Sequence, residues 1–371
     1  MRAAARRLKL RSKTNAVAET AVRQDRTRVA VVGAGAFGRN HVRVYHELQV
    51  AGAGVELVAV VDRDPAVLAA AYEKYGVAGY ETVEAMLADG VRLDAASVCV
   101  PTVHHADAAE TLLRAGADVL IEKPLAATLE EADRVVALAR ELGRVLQVGH
   151  LERFNPAVAA ARENLNKPMF FEVHRLSIFT PRSLDVDVVL DLMIHDLDIV
   201  LSLVGSPVRE VRAVGLPVLS GKVDIANVRI EFENGAIANF TASRVSTERV
   251  RKLRFFQARQ YLSLDFARQD LLVIDAPDVR ALAGLDAAGL AALLAKLQAG
   301  GEHPSAGLAL RKVEVEQGEP LRLELVSFLE AVRLRSRPVV SGEDGRAALA
   351  LALEVNAAIR AHALRAGLAI S

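Results

Sequence analysis

Residues 28–38 read RVAVVGAGAFG, an apolar run that leads directly into three glycines. Gly33, Gly35 and Gly38 form a GxGxxG pattern, which binds dinucleotide phosphates when it follows a strand and opens a helix. Gly33 allows the tight turn, Gly35 lets the backbone approach a pyrophosphate, and Gly38 lets helix and strand pack closely. A plain glycine turn is the alternative interpretation. The position between a strand and a helix favours a dinucleotide site.

Two further features of this region concern the cofactor. Ala36 and Phe37 lie where the helix begins, and the N–H groups of a helix N-terminus attract phosphates. Asp62 closes the next apolar run. A carboxylate there accepts hydrogen bonds from ribose hydroxyls and repels a 2′-phosphate, which favours NAD. Arg63 follows directly and could pair with a 2′-phosphate, so NADP remains an alternative.

Short apolar runs alternate with helical patterns from residue 27 to residue 150. This alternation predicts βαβ units and a parallel sheet that is buried on both faces. The predicted strands are 28–32, 55–61, 95–100, 119–121 and 145–148. The predicted helices are 37–50, 65–75, 82–88, 106–115 and 129–142. The fold class is therefore α/β, with a Rossmann-type domain first.

After residue 150 the pattern changes to alternating apolar and polar residues. Val228, Ile230 and Phe232 alternate with polar residues, and Asn234-Gly235 follows them. Asn-Gly is a strong hairpin signal, because both central residues of a type I′ turn need a positive φ. We therefore predict a second, α+β domain with a mainly antiparallel sheet. Its predicted strands are 171–178, 228–233, 238–243, 252–256 and 261–266, and its predicted helices are 188–204, 290–297, 325–332 and 341–365.

Three segments are expected along the chain. Residues 1–26 form a basic extension, which we expect to be poorly ordered; a transit peptide or a membrane-surface helix is the alternative. Residues 27–150 form the dinucleotide-binding domain. Residues 151–371 form a substrate-binding and oligomerisation domain, because an open sheet has a face to bury in a homo-oligomer, either a dimer or a tetramer.

The composition excludes several classes of protein. The 371 residues include 46 Lys plus Arg and 46 Asp plus Glu, and this balance argues against a dedicated nucleic-acid binder. No uncharged apolar run reaches the length of about 18 residues that a membrane-spanning helix needs. The single cysteine, Cys99, excludes an intrachain disulfide and a cysteine-cluster zinc site. It fits a reducing compartment, and we expect a cytoplasmic protein.

Three side chains are candidates for acid–base chemistry. Lys123 follows an apolar run, and the carboxyl ends of parallel strands are where such sheets bind ligands. Asp191 and His195 are four residues apart, so a helix puts them on one face. Histidine is the usual proton acceptor near neutral pH. The alternatives are a surface lysine, a hydrogen-bonded core histidine, and a metal site for which the sequence offers no clear third ligand. We expect no metal.

The sequence resembles the Gfo/Idh/MocA family of oxidoreductases in four motifs over residues 27–360. Besides the glycine loop, the motifs are Pro101-x-x-x-His105, Glu122-Lys123-Pro124 and Asp191-x-x-x-His195. The resemblance implies an NAD(P)-dependent enzyme that acts on sugars, inositols or sugar nucleotides.

The resemblance also implies roles for individual residues. Lys123 would hydrogen-bond the reacting oxygen, His195 would accept the proton, and Asp191 would orient the imidazole or a substrate hydroxyl. Glu122 would contact the nicotinamide ribose, unless it forms a strand-end salt bridge. The residues implied at the nicotinamide end of the cofactor are Pro101, Thr102, His105, Glu122 and Lys123.

A narrower resemblance joins residues 149–156, 174–176, 180–182 and 191–198 to the bacterial members of this family that oxidise the 3-hydroxyl of UDP-N-acetylglucosamine. It implies a 3-keto sugar nucleotide as product. A pyridoxal-phosphate aminotransferase would then be the functional partner, in the synthesis of the diamino sugar of lipid A. The implied substrate contacts are Lys123, Arg153, Asn155, Arg182, Asp191, His195 and Asp198.

One departure from the family pattern and two alternative functions remain. Asp187-Val188 stands where the family commonly has Gly-Gly ahead of Asp191, so we expect a different local loop. An inositol or simple-sugar dehydrogenase is the alternative within the family. A non-catalytic nucleotide-sensing protein is the alternative outside it. Such a protein would keep the glycine loop without Lys123, Asp191 and His195, and all three are present.

Overall fold

The computed structural model describes residues 26–179, 186–275, 288–289 and 309–369. The chain divides into two compact units. The first comprises Met1–Gly149 and Glu324–Gly342, and the second comprises His150–Leu323 and Glu343–Ser371. Most of the predicted basic extension and the predicted helix at 290–297 lie outside the described residues.

The first unit is built on a six-stranded parallel sheet. Its elements up to residue 149 are β1 (Thr27–Val32), α1 (Gly38–Val50), β2 (Val55–Val61), α2 (Pro65–Tyr75), β3 (Ala78–Tyr80), α3 (Val83–Ala88), β4 (Ala95–Val98), α4 (His105–Arg114), β5 (Asp118–Glu122), α5 (Leu129–Glu141) and β6 (Leu146–Gly149). The strand order is β3-β2-β1-β4-β5-β6, with every neighbouring pair parallel. β4 and β5 are buried along their whole length. The predicted Rossmann-type fold is confirmed.

β3, the strand at one edge of this sheet, was not predicted from the sequence. Ala78 and Gly79 are exposed and Tyr80 is half-buried. Three residues without an apolar run leave no periodic signal to recognise, whereas the buried central strands do.

The elements after residue 149 are the eight strands of a second sheet and the helices around it. They are α6 (Pro156–Glu163), β7 (Phe170–Leu176), a π-helical turn (Val189–Met193), α7 (Ile194–Val204), β8 (Val208–Leu216), β9 (Ile225–Phe232), β10 (Ile237–Ser243), β11 (Val250–Gln257), β12 (Gln260–Asp265), β13 (Asp270–Asp275), β14 (Ala309–Val313), α8 (Pro320–Leu334) and α9 (Gly342–Ala366). The strand order is β14-β13-β12-β11-β7-β10-β9-β8. β7 and β10 pair in parallel, and the other neighbours pair antiparallel. The predicted α+β class is confirmed.

The hairpin between β9 and β10 forms as predicted, but its turn differs. Gly235 has φ +83°, whereas Asn234 is not in the positive-φ region. The N–H of Gly235 donates to the carbonyl of Phe232 at 2.9 Å, which is an ordinary β-turn followed by a left-handed glycine. This is the common three-residue hairpin loop, so the Asn-Gly pair predicted the hairpin correctly and the type I′ turn wrongly.

The core of the second unit lies on one face of the large sheet. Phe171, Phe240 and Phe255 alternate with outward-facing residues and are fully buried. Helix α9 contributes Val355 and Ile359 to the same core. By length and composition alone α9 could cross a membrane, a test that buried core helices also pass.

One predicted domain boundary was wrong. Residues 324–342, which the sequence assigned to the second domain, belong to the first unit. The N–H of Val148 on β6 donates to the carbonyl of Val340 at 3.0 Å, and Gln147 forms an antiparallel bridge with Ser341. β6 is an edge strand whose backbone groups need partners, and this returning segment supplies them.

Candidate active site

The glycine loop shows why each glycine is needed. Gly33 has φ +86°, and a Cβ on it would lie 2.7 Å from the carbonyl carbon of Cys99. A Cβ on Gly38 would lie 1.8 Å from the carbonyl oxygen of Gly33. A Cβ on Gly35 would meet no atom within 4 Å, so this backbone borders open space. Phe37 is the N-cap residue of α1, and no side chain caps that end of the helix. The loop thus presents helix N–H groups beside an open cradle, which fits a pyrophosphate.

Asp62 links the end of β2 to this loop. Its Oδ2 accepts the N–H of Ala34 at 2.7 Å, and its Oδ1 accepts the N–H of Asp64 at 3.0 Å. A carboxylate has about four acceptor positions, so these two bonds leave capacity for ribose hydroxyls. Arg63 is exposed beside it. The residues present therefore fit NAD: the loop would hold its pyrophosphate and Asp62 its adenosine ribose.

His105 lies within the first unit rather than at an open surface. Only 1% of the residue is exposed. Its Nδ1 lies 2.9 Å from the carbonyl of Pro124, and its Nε2 lies 2.8 Å from the carbonyl of Val100. Burial lowers the pKa of His105, although the two carbonyls oppose that shift. His105 thus links two loops, and its contact with nicotinamide stays a prediction. Pro101 and Thr102 lie in the first of these loops, at the start of a 3₁₀ turn.

Glu122 and Lys123 stand at the end of β5. The carboxylate of Glu122 is directed into the unit: Oε1 lies 3.0 Å from Nε2 of His41, and Oε2 accepts the N–H of Lys123 at 3.2 Å. Of the two alternatives for Glu122, this arrangement favours the strand-end interaction over a contact with the nicotinamide ribose. Lys123 is half-buried, and its peptide bond to Pro124 is cis.

Asp191 lies within a helical irregularity in the second unit, and His195 follows it. The N–H of Ile194 donates to the carbonyl of Val189, five residues earlier, so the first turn is π-helical. Asp191 lies in this turn and His195 in α7. The simple i, i+4 geometry of the sequence argument therefore does not apply. Single π turns inside helices are frequent at functional sites. The ring of His195 is nearly buried and lies perpendicular to that of His150, with centroids 6.0 Å apart.

Asp187 holds this turn in place. Its Oδ1 accepts the N–H groups of Val189 and Leu190 at 2.9 and 3.0 Å. Its Oδ2 accepts Nδ2 of Asn356 at 2.9 Å. The departure from Gly-Gly thus has a physical role, since the carboxylate caps the element that carries Asp191. An aspartate just before a helical pattern is an N-cap signal, so the sequence contained this information.

Arg153, Asp198 and Asn155 are engaged within the second unit. Arg153 and Asp198 form a two-bond ion pair of 2.8 and 2.5 Å, with both side chains at most 5% exposed. Asn155 caps α6, and its amide also donates to the carbonyl of Phe266 at 3.0 Å. The side chain of Asn155 is thus engaged in packing contacts, and its substrate role stays a prediction. Arg182 lies outside the described residues.

A second buried ion pair, between β7 and α7, was not predicted from the sequence. Arg175 donates to both carboxylate oxygens of Asp196, at 2.8 and 2.7 Å, and to Glu152 at 2.9 Å. Asp196 is the neighbour of His195, so Arg175 fixes the helix beside that histidine. A single sequence gives no signal that residues so far apart will pair.

Among the described residues, no group of three His, Cys, Asp or Glu side chains could hold a metal ion.

Fold and site together define an oxidoreductase whose first domain binds NAD in a Rossmann fold. Residues 27–150 match the family described as "Oxidoreductase family, NAD-binding Rossmann fold", and residues 139–259 match the GFO/IDH/MocA C-terminal domain. The chain belongs to the Gfo/Idh/MocA oxidoreductase family. The expectations for the family, the enzyme class and the NAD-binding fold are confirmed.

Individual relatives differ in how much of the chain they match. UDP-N-acetylglucosamine 3-dehydrogenase of Acidithiobacillus ferrooxidans is 33% identical over 91% of this chain and 99% of its own length. A solved structure of that enzyme, GnnA, has a TM-score of 0.77 and covers 91% of this chain and 98% of its own. scyllo-Inositol 2-dehydrogenase (NAD(+)) of Bacillus subtilis is 29% identical over 60% of this chain and 69% of its own length.

Proposed function

We propose that this protein oxidises the 3-hydroxyl group of UDP-N-acetylglucosamine with NAD, giving the 3-keto sugar nucleotide. The observation that carries the proposal is the match to a UDP-N-acetylglucosamine 3-dehydrogenase over nearly the full length of both chains. The match to the scyllo-inositol dehydrogenase leaves about two fifths of this chain unmatched. Lys123, Asp191 and His195 supply the side-chain chemistry that alcohol oxidation needs.

The reaction removes a hydride from carbon and a proton from the hydroxyl oxygen of a secondary alcohol. Bound NAD supplies the acceptor for the hydride. We assign the proton to His195, because imidazole is the side chain best suited to accept one near neutral pH. Lys123 donates a hydrogen bond to the reacting oxygen and stabilises its developing negative charge. Asp191 orients the imidazole or binds a substrate hydroxyl.

Further contacts are part of the proposal. Pro101 and Thr102 are assigned to the nicotinamide end of the cofactor. Arg182 is assigned to the substrate phosphates on the sequence motif alone. Arg153 and Asp198 line a cavity of about 500 Å³ between α7 and α9, and a substrate group would have to compete with their ion pair.

We also propose a cellular setting for this reaction. The 3-keto product is a substrate for a pyridoxal-phosphate aminotransferase, which would make the diamino sugar of lipid A. We place the protein in the cytoplasm, because its single cysteine fits a reducing compartment. We further propose a homo-oligomer, a dimer or a tetramer. The outward face of the large sheet supports this, since Phe170, Phe256 and Tyr261 form a half-buried aromatic cluster there.

The direct test is a screen of UDP-sugars and free polyols with NAD, read as absorbance of reduced cofactor. UDP-N-acetylglucosamine should give the highest kcat/KM, and mass spectrometry should show loss of two hydrogens from the sugar nucleotide. Adding an aminotransferase and glutamate should increase NADH formation, because removing the ketone pulls an uphill oxidation forward. Inositols turning over as fast as the UDP-sugar would instead support the alternative function. Sedimentation analysis of the full chain tests the oligomer.

A further inference from the structure

His41 is a buried histidine on α1 to which the proposed chemistry assigns no task. The residue is 0% exposed. Its Nε2 lies 3.0 Å from Oε1 of Glu122. A carboxylate oxygen is a hydrogen-bond acceptor, so we assign Nε2 of His41 as the donor of this contact. Its Nδ1 has no hydrogen-bond partner within the described part of the chain, and the ring otherwise meets Phe37 edge-on at 5.5 Å. The bond to Glu122 is thus the polar contact that accounts for a histidine here.

Glu122 connects His41 to Lys123 through its two carboxylate oxygens. Its other oxygen, Oε2, accepts the backbone N–H of Lys123 at 3.2 Å. The carboxylate is also confined by β6, because a Cβ on Gly149 would lie 2.8 Å from the carboxyl group. A carboxylate held by two donors and a neighbouring strand has little freedom to move, so the residue after it begins at a fixed position.

The chain after Lys123 is also fixed by a hydrogen bond. His105 contacts the carbonyl of Pro124, the residue that follows Lys123, and also the carbonyl of Val100. Lys123 therefore lies in a short segment whose neighbours on both sides are bound to buried histidines. His41 differs from His105 in one respect: it belongs to α1, the helix that begins at the glycine loop.

We propose that His41 and Glu122 are positioning residues that set the place of Lys123 relative to the dinucleotide-binding helix. The chain of contacts runs from α1 through the His41 ring and the Glu122 carboxylate to the Lys123 backbone. It gives one helix two tasks. The N-terminal end of α1 borders the pyrophosphate cradle, and His41, the fourth residue of α1, anchors the segment that carries Lys123. The proposal rests on the proposed function, because that function gives Lys123 its chemistry.

Hydrogen exchange of the Lys123 amide tests the contact without any substrate. In the full chain, His41→Phe keeps an aromatic ring but removes the bond, so Glu122 loses a restraint and the Lys123 amide should exchange faster. His41→Gln keeps an N–H donor and should restore part of the protection. His46→Phe is the matched control, because His46 lies on the same helix and contacts Tyr75 instead. Equal protection of Lys123 in His41→Phe, His46→Phe and wild type would overturn the proposal.

Kinetics test whether the position matters for the reaction. A misplaced Lys123 should lower kcat between about 10-fold and about 100-fold. The Kd for NAD, measured by calorimetry, should stay close to that of wild type, because the glycine loop and Asp62 are unchanged. If His41 had only a structural role, His41→Phe would lower Tm. At temperatures well below Tm, the kcat of this variant would then equal that of wild type.

A double variant separates action through Lys123 from an independent effect. If His41 acts through Lys123, the pair His41→Phe and Lys123→Ala should be no slower than Lys123→Ala alone. The proposal would be overturned if the loss of kcat in the double variant equalled the product of the losses in the two single variants. Should His41→Phe fail to fold, Glu122→Gln serves in all three measurements, since it removes the charge that holds both donors. Absence of any dehydrogenase activity in wild type, with the exchange difference present, would reject the proposed function while supporting the positioning contact.

Discussion

Asp62 is the residue that should decide between NAD and NADP. Its carboxylate lies beside the glycine loop, bonded to the N–H of Ala34. A 2′-phosphate would bring a second negative charge to this carboxylate, so NAD should bind more tightly than NADP. Asp62→Ser removes the repulsion, and Arg63 is then available to pair with the phosphate. We expect the difference between the two Kd values to narrow or reverse in calorimetric titrations.

Asp64→Ser is the matched control for Asp62→Ser. Asp64 caps α2 through the N–H of Ala66, and serine keeps that cap. It should leave the preference for NAD unchanged. Equal or better binding and turnover of wild type with NADP would reject the role assigned to Asp62.

Lys123 and His195 should each be needed for the chemical step. Lys123→Ala and His195→Ala are expected to lower kcat by roughly 10²- to 10⁴-fold, the usual range for lost general acid–base help. NAD affinity should change little, since neither side chain belongs to the glycine loop. Steady-state kinetics and calorimetry measure the two quantities.

Lys74→Ala, an exposed lysine on α2, is the control for Lys123→Ala. It should retain wild-type kcat. If His195→Ala also retains it at neutral pH, then His195 is not the base and the proton must be assigned elsewhere.

The loop between β8 and β9 carries a prediction at the scale of an element. Asp224 accepts the N–H groups of Val218, Leu219 and Ser220 at 2.7, 2.6 and 2.8 Å, and it pairs with Arg244 at 2.7 Å. Burial opposes its ionisation, but the hydrogen bonds from Ser220 and the neighbouring backbone outweigh burial and hold the pKa of Asp224 well below its usual range.

The sign of the pH effect follows from this lowered pKa. In the unfolded chain an aspartate has a pKa of about 3.9, so the contribution of Asp224 to stability is complete well above that pH. It is lost as the pH falls from about 4 toward the lower pKa of the folded state. Asp224→Asn should lower stability at neutral pH by on the order of 3 kcal/mol, because Arg244 stays buried without its counter-ion. Its stability should also fall less steeply below about pH 4 than that of wild type.

Thermal unfolding as a function of pH measures both effects. Asp107→Asn, at an exposed position of α4, is the control and should follow wild type. Parallel pH curves for Asp224→Asn and wild type would show that Asp224 does not carry the acid sensitivity assigned to it.

Elements with strong periodicity were predictable from the sequence, and those defined by distant contacts were not. The buried strands β1, β2, β4 and β5 were predicted because each is an apolar run in the sequence. β3 and β8 do not, because much of each strand is exposed. The π turn that carries Asp191 was also missed, since a helical pattern does not reveal which carbonyl each N–H will choose.

The candidate site shows the same division. The motif residues Lys123, Asp191 and His195 could be named from the sequence, because their spacing and order match a family. The buried partners could not: the His41–Glu122 contact joins residues 81 positions apart, and Arg153 meets Asp198 across 45. Such pairs depend on how helices and strands come together, which local sequence does not encode.

At the scale of the whole molecule, the chain is two units with different sheets. The predicted domains follow the division into units near residue 150 and differ from it at residues 324–342. The change of pattern near residue 150 marks the first crossing. The return of residues 324–342 to the first unit is set by backbone pairing with the edge strand β6. Backbone hydrogen bonds are independent of side-chain identity, so this return left no pattern.

The most direct measurement for the whole account compares kcat/KM for UDP-N-acetylglucosamine and free N-acetylglucosamine, with UDP as a competitor. A UDP group binds far from the reacting carbon, and such remote binding energy can hold the 3-hydroxyl in position for oxidation. We expect the sugar nucleotide to be preferred by several orders of magnitude in kcat/KM, and we expect UDP alone to inhibit competitively. Free sugars or inositols that react as well as the UDP-sugar, or a lack of competition by UDP, would contradict this expectation.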